Sequence, residues 1–143
     1  EVLGLADRTV LFELSQAVVS VPRLKPHRAV LAGGDIFIQP GPRKAFDIML
    51  LEAMSAGTVV AGCRGGVDDL IIEGQTAAVF DPKDELSIYK TLKDLLDRPD
   101  LARQLAKSAQ DYLKKNHTVS NMISSTLAVY RQAQMLPLSV GNS

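Results

Sequence analysis

One cysteine among 143 residues, Cys63, excludes an intramolecular disulfide, and with only His27 and His117 beside it no Cys/His set at zinc-ligand spacing exists. So little cysteine fits a reducing compartment, the cytoplasm by default. No apolar run approaches the ~20 residues that a membrane-spanning helix needs. An excess of one charge is missing too. The 16 basic residues are matched by 16 acidic ones, which removes the electrostatic footprint of nucleic-acid or anionic-lipid binding. Any anionic ligand has to be held locally. The chain opens on Glu1 without a charged-then-apolar leader, which reads as an excised or processed piece.

Two nucleotide signatures are also absent. A dinucleotide fold needs Gly-x-Gly-x-x-Gly after its first strand, and "AGCRGG" lacks that spacing. A P-loop needs Gly-Lys-Ser or Gly-Lys-Thr, and neither occurs. A receiver domain needs clustered acids at strand ends, where only Asp35 and Asp69 are loosely placed.

What is present is a globular composition, 46% hydrophobic and 22% charged, at a length suited to one core. Four short runs rich in Val, Ile and Phe are bounded by turn residues: "TVLFEL" (9–14), "DIFIQP" (35–40), "TVVAGC" (58–63) and "AAVFDP" (77–82). Runs apolar on both faces predict strands of a parallel sheet covered by helices. Crossover helices are expected over 23–32, 45–56 and 67–73. Three amphipathic helices follow Pro82. The first is capped by Asp81 or Asp84 and expected to bury Leu86, Tyr89, Leu92 and Leu96. The second, after Pro99, shows Leu101, Leu105, Ala109 and Tyr112 at three-to-four spacing. The third, from near Thr118, repeats Val119, Met122, Ile123, Leu127 and Tyr130. The chain divides into a domain over 1–134 and a frayed tail over 135–143.

The loop "PGPRKAFD" leads from the second run into its helix. In an open parallel sheet ligands sit beyond the carboxyl ends of the strands, where the next helix offers free amides and the positive end of its dipole. Arg43 and Lys44 add positive charge there, which suits a diphosphate. On a straight helix Glu52 lies on the order of 12 Å from Lys44, matching two ends of an extended ligand. The plainer reading is a pair of solvated loop cations and a locally paired Glu52. For the basic residues Arg103, Lys107, Lys114 and Lys115 a solvated helix face is expected.

The ordered landmarks "DIFIQP", "LLEAMSAG", "GGVDDLIIEGQTA", "FDPKDE" and "LLDRP" resemble the carboxyl-terminal, donor-binding domain of retaining glycosyltransferases of the two-Rossmann-domain (GT-B) kind, the glycogen-synthase-like and sucrose-synthase-like group. The resemblance covers roughly residues 3–133. It implies an α/β fold: part of a Rossmann-like parallel sheet flanked by helices and followed by three carboxyl-terminal helices. In that family two Glu residues with seven between them frame the donor, the first facing the sugar and the second the ribose hydroxyls. Glu52 matches the second, and Lys44 stands at the first. Ala45 and Asp47 replace glycines that usually flank Phe46. Gly65, Gly66 and an acid at Asp69 match the turn that lines the donor pocket; packing alone is the other reading of the two glycines.

A carboxylate accepts hydrogen bonds from sugar hydroxyls and an ammonium only donates them. Three readings of Lys44 are therefore open: a donor with an anionic sugar or a water-mediated contact, a contact to phosphate, or a catalytically degenerate binding or scaffold domain. Asp47 reads either as a repulsive charge beside a diphosphate or as a residue stabilising the helix start.

The resemblance implies transfer of a sugar from a nucleotide-diphosphate sugar to an acceptor with retention, no obligatory metal or other cofactor, and the whole protein rather than this piece as the active unit. It places a separate acceptor domain and two strand-helix units outside the chain. The strand over 36–38 is then left with a bare edge, which predicts dimerisation, pairing with a complementary chain, or repacking of the first strand. Peripheral contact with the inner membrane face through the acceptor domain accompanies the cytoplasmic expectation.

Overall fold

The computed structural model describes residues 16–19, 27–42, 47–65 and 69–135. Over these the order is α1 (His27–Gly33), β1 (Ile36–Gln39), α2 (Ile48–Ala56), β2 (Val59–Cys63), β3 (Ala78–Phe80), α3 (Glu85–Asp97), α4 (Pro99–Asn116) and α5 (Val119–Met135). The predicted strand over 9–14 and the tail over 136–143 lie outside the described residues. The three strands form one parallel sheet in the order β1-β2-β3. Ile36 pairs with Val59 and Gln39 with Gly62; Ala61 pairs with Ala78 and Cys63 with Phe80.

Every residue of β2 is buried because the central strand is covered on both sides. Its alternation divides the core. Val60 packs with Leu50 and Met54 of α2, with Leu70 and Ala77, and with Ala109 and Leu113 of α4. Val59, Ala61 and Cys63 point the other way, onto Phe80, Leu95, Leu105 and Ala106. Helix α4 joins both clusters, since Leu105, Ala106, Ala109 and Leu113 recur on one face. Pro99 opens it, and Lys114 and Lys115 lie in its last turn, both favourable placements.

Local chemistry sets the element ends. Asp84 caps α3 by accepting from the Leu86 amide at 2.9 Å, while Asp81 accepts from the Lys83 amide at 2.9 Å in the preceding turn. Gly57 ends α2 with φ +86°, its amide reaching the Ala53 and Met54 carbonyls. The buried Thr58 hydroxyl donates to the Leu31 carbonyl and so ties the end of α1 to the start of β2. At α5 the Thr118 hydroxyl accepts from the Asn121 amide at 3.1 Å.

Three expectations are corrected. Of the four residues expected inside, Leu92 packs against the core, while Leu86, Tyr89 and Leu96 are exposed and Ile88 and Leu95 take their place. The apolar residues of α3 span an arc of roughly 180° at 100° per residue, and the sheet covers only half of it. Helix α2 starts at Ile48 rather than at 45, because Asp47 is extended. The described part of the segment 67–73 holds a turn at 69–70 and an isolated bridge from Glu73 to Ala77 instead of a helix. The apolar stripe of α5 is helical, yet Val119, Met122, Ile123, Leu127 and Tyr130 face solvent. Among the described residues no helix is long and apolar enough to cross a membrane.

Candidate functional site

The three parallel strands leave the sheet at one end. β1 ends at the buried Gln39, followed by Pro40, Gly41 and Pro42. Asp47 immediately precedes α2, and its carboxylate accepts from the Met49 amide at 3.0 Å. This acid therefore caps α2, taking one of the helix's free amides and leaving a negative charge at its start. With Asp47 extended, the straight helical span from Lys44 to Glu52 does not form, and helical rise places Glu52 only ~7 Å beyond the cap. Glu52 is half-buried and lines a cleft of about 250 Å³ with Ile48, Leu51 and Ser55. Arg43, Lys44, Ala45, Phe46 and Gly66 lie outside the described residues.

Beside this opening, the exit of β2 is fixed by one further ladder bond. The Arg64 amide donates to the Phe80 carbonyl at 2.8 Å. Gly65 then turns the chain at φ +76° with open space where a Cβ would stand, so its glycine is required by backbone conformation rather than by crowding. Asp69, the exposed acid of this turn, holds its carbonyl against the Tyr112 hydroxyl at 2.9 Å, which anchors the loop to α4.

The same loop rests on two residues that sequence reading passed over. A Cβ on Gly62 would meet the Cδ1 and Cγ2 atoms of Ile71 at 2.8 Å, so the absence of a side chain lets the loop lie on the sheet. Gly62→Ala is expected to destabilise the protein by about 1–2 kcal/mol and to displace Ile71, measured by urea denaturation and by the Ile71 methyl shifts. Unchanged shifts would show the space to be incidental. Thr76 is fully buried; its hydroxyl accepts from the Ile72 amide at 2.8 Å and donates to the Leu70 carbonyl at 2.5 Å. The Ile72 carbonyl takes the Gln75, Thr76 and Ala77 amides, and Gly74 turns at φ +71°. These bonds fold the segment back instead of continuing a helix.

Cys63 is buried at the end of β2, and burial pushes its thiol up, which keeps it protonated and unreactive. Among the described residues no group of three or more His, Cys, Asp or Glu could hold a metal ion.

Residues 12–112 match the family described as Glycosyl transferases group 1. The chain belongs to that family. Among its relatives, a glycogen synthase of Mycobacterium tuberculosis is 29% identical over 107 residues, covering 74% of this chain and 26% of that protein. A sulfoquinovosyl transferase of Arabidopsis thaliana is 34% identical over 88 residues, covering 59% of this chain and 17% of the other. The chain thus spans about a quarter or less of the length of these relatives. A glycosyltransferase from Rickettsia africae superposes with a TM-score of 0.80 at 16% identity, over 91% of this chain and 35% of that one. The Anabaena HepE protein in complex with UDP superposes with a TM-score of 0.76 at 17% identity, over 87% and 36%. These neighbours share the GT-B glycosyltransferase fold with a group 1 chain whose sheet is Rossmann-like.

Proposed function

We propose that the chain is the donor-side part of a retaining glycosyltransferase that moves a sugar from a nucleotide-diphosphate sugar to an acceptor. The family match over residues 12–112, laid on a parallel sheet that opens at the start of α2 and the Gly65 turn, carries this reading. The UDP bound by the HepE protein, a relative in fold, supports a nucleotide donor.

In this reading Glu52 accepts from the ribose hydroxyls. Arg43 and Lys44 face the diphosphate or an acidic sugar, and Ala45, Phe46 and Asp47 with Gly65 and Gly66 line the donor. No metal is required, because oriented amides and the two cations neutralise the leaving diphosphate. The acceptor is held by a separate domain, the whole protein is the active unit, and the outer edge of β1, which has no neighbouring strand among the described residues, pairs with a complementary chain or a second copy. The assembly works in the cytoplasm or at the inner membrane face.

Thermal-shift titration of the full-length protein with UDP, GDP and ADP tests the reading. One nucleotide is expected to give saturable stabilisation, and Glu52→Ala to weaken that nucleotide by about tenfold or more, as loss of hydrogen bonds to a charged group implies. No response to any of the three would favour a scaffold that has lost donor binding, the reading that Lys44 at the first Glu position invites.

A further inference from the structure

We propose that Arg64 is a ligand-binding residue of the donor site, exchanging its ion pair with Glu73 for an oxyanion of the donor. This rests on the donor-site reading above, and adds a cation from the described part of the chain. Arg64 is the first residue beyond the central strand, at the end of the sheet where ligands of open parallel sheets bind. Its backbone is fixed by the bond to Phe80, and Gly65 turns away immediately after it. The alternation of β2 sends Val60 and Gly62 toward α2 and Ile71, and Arg64, the turn residue just past the strand, brings its guanidinium near Glu73 at the end of the segment that contains Ile71.

The guanidinium is held loosely. Its Nη2 stands 3.8 Å from a Glu73 carboxylate oxygen, beyond hydrogen-bond range, and the two side chains are 69% and 66% exposed. An ion pair so exposed contributes little to stability, and Arg carries five N–H donors in a fork that fits phosphate, carboxylate or sulfonate. Glu73 closes the far end of the loop that Arg64 opens. In the absence of donor it keeps the guanidinium at the loop's base; an arriving oxyanion competes with it. The pair is therefore a competitor of the ligand as well as a staple, which predicts opposite effects for its two members.

The test measures affinities of the full-length protein by calorimetry at fixed, low salt, with UDP, GDP and ADP as probes and then the glucose and glucuronate conjugates of whichever binds. Arg64→Gln is expected to weaken binding at least about tenfold, and Glu73→Gln to tighten it roughly two- to fivefold, with both variants keeping the wild-type unfolding midpoint. A loss in Arg64→Gln that is already full with the free diphosphate identifies phosphate as the oxyanion. A loss seen only with the glucuronate conjugate identifies the sugar's acid. Unchanged affinity in Arg64→Gln overturns the inference while leaving the donor reading intact, and equal weakening by both substitutions overturns it too, because it marks the pair as a staple only. Failure of the wild type to bind any probe overturns both.

Discussion

Phe80→Ala is expected to lower the unfolding free energy by about 3–5 kcal/mol, the range for truncating a buried aromatic. Among the described residues Phe80 is the largest fully buried side chain, and it packs with Val59, Ala61, Cys63, Leu95, Leu105 and Ala106. These come from β2, α3 and α4, so the ring joins the central strand to two helices, and few neighbours are free to fill the space it leaves. Phe80→Leu keeps most of the volume and should lose less than half as much. Urea midpoints of the three proteins measure this, and a loss below about 1 kcal/mol for the Ala variant would mean the cluster collapses around the gap. There is a second consequence at the site. The Phe80 carbonyl anchors the Arg64 amide, so slack in β3 reaches the residue that leads into the Gly65 turn.

The three expected strands that fall among the described residues were legible because burial on both faces leaves runs such as Val59–Cys63 with no polar residue to hide. The three carboxyl-terminal helices were legible from their period and from the Asp84, Pro99 and Thr118 starts. The buried half of α3 was not, since Leu86, Tyr89 and Leu96 continue the same apolar arc as Ile88 and Leu95 and only tertiary packing chooses between them. The segment "VDDLIIE" misled for a related reason. In the sequence Val67, Leu70 and Ile71 have the i, i+3, i+4 spacing of a helix, but the Thr76 hydroxyl and the left-handed Gly74 capture backbone groups that a helix would use. Of the candidate site, Asp47 and the Gly65 turn could be anticipated from helix-start and glycine chemistry. Gly62 and Arg64 matter through contacts with residues nine positions further on, Ile71 and Glu73, which no local pattern encodes.

Thr76→Val should destabilise the protein by about 2–3 kcal/mol although the two side chains are nearly the same shape. The hydroxyl serves the Ile72 amide and the Leu70 carbonyl at once in a site with no solvent exposure, and a methyl group satisfies neither. Two polar groups then lose their partner inside the core, and the penalty is their desolvation rather than the modest net worth of a hydrogen bond made in water. Thr76→Ser retains both bonds, gives up one methyl and should cost only about 1 kcal/mol. For a domain of this length the Val variant's midpoint should fall by roughly 6–12 °C. The sharper readout is local. Hydrogen exchange at the Ile72 amide should accelerate in Thr76→Val and stay slow in Thr76→Ser, because that amide's protection depends on the hydroxyl while the strands around it do not. Under the proposed donor reading, loosening of the segment around Leu70 and Ile72 is expected to weaken nucleotide binding in the Val variant without any contact between residue 76 and the ligand. Full protection of Ile72 in Thr76→Val would mean that the loop is held by the Tyr112 anchor and by Ile71 on Gly62, and that the threonine merely fills space.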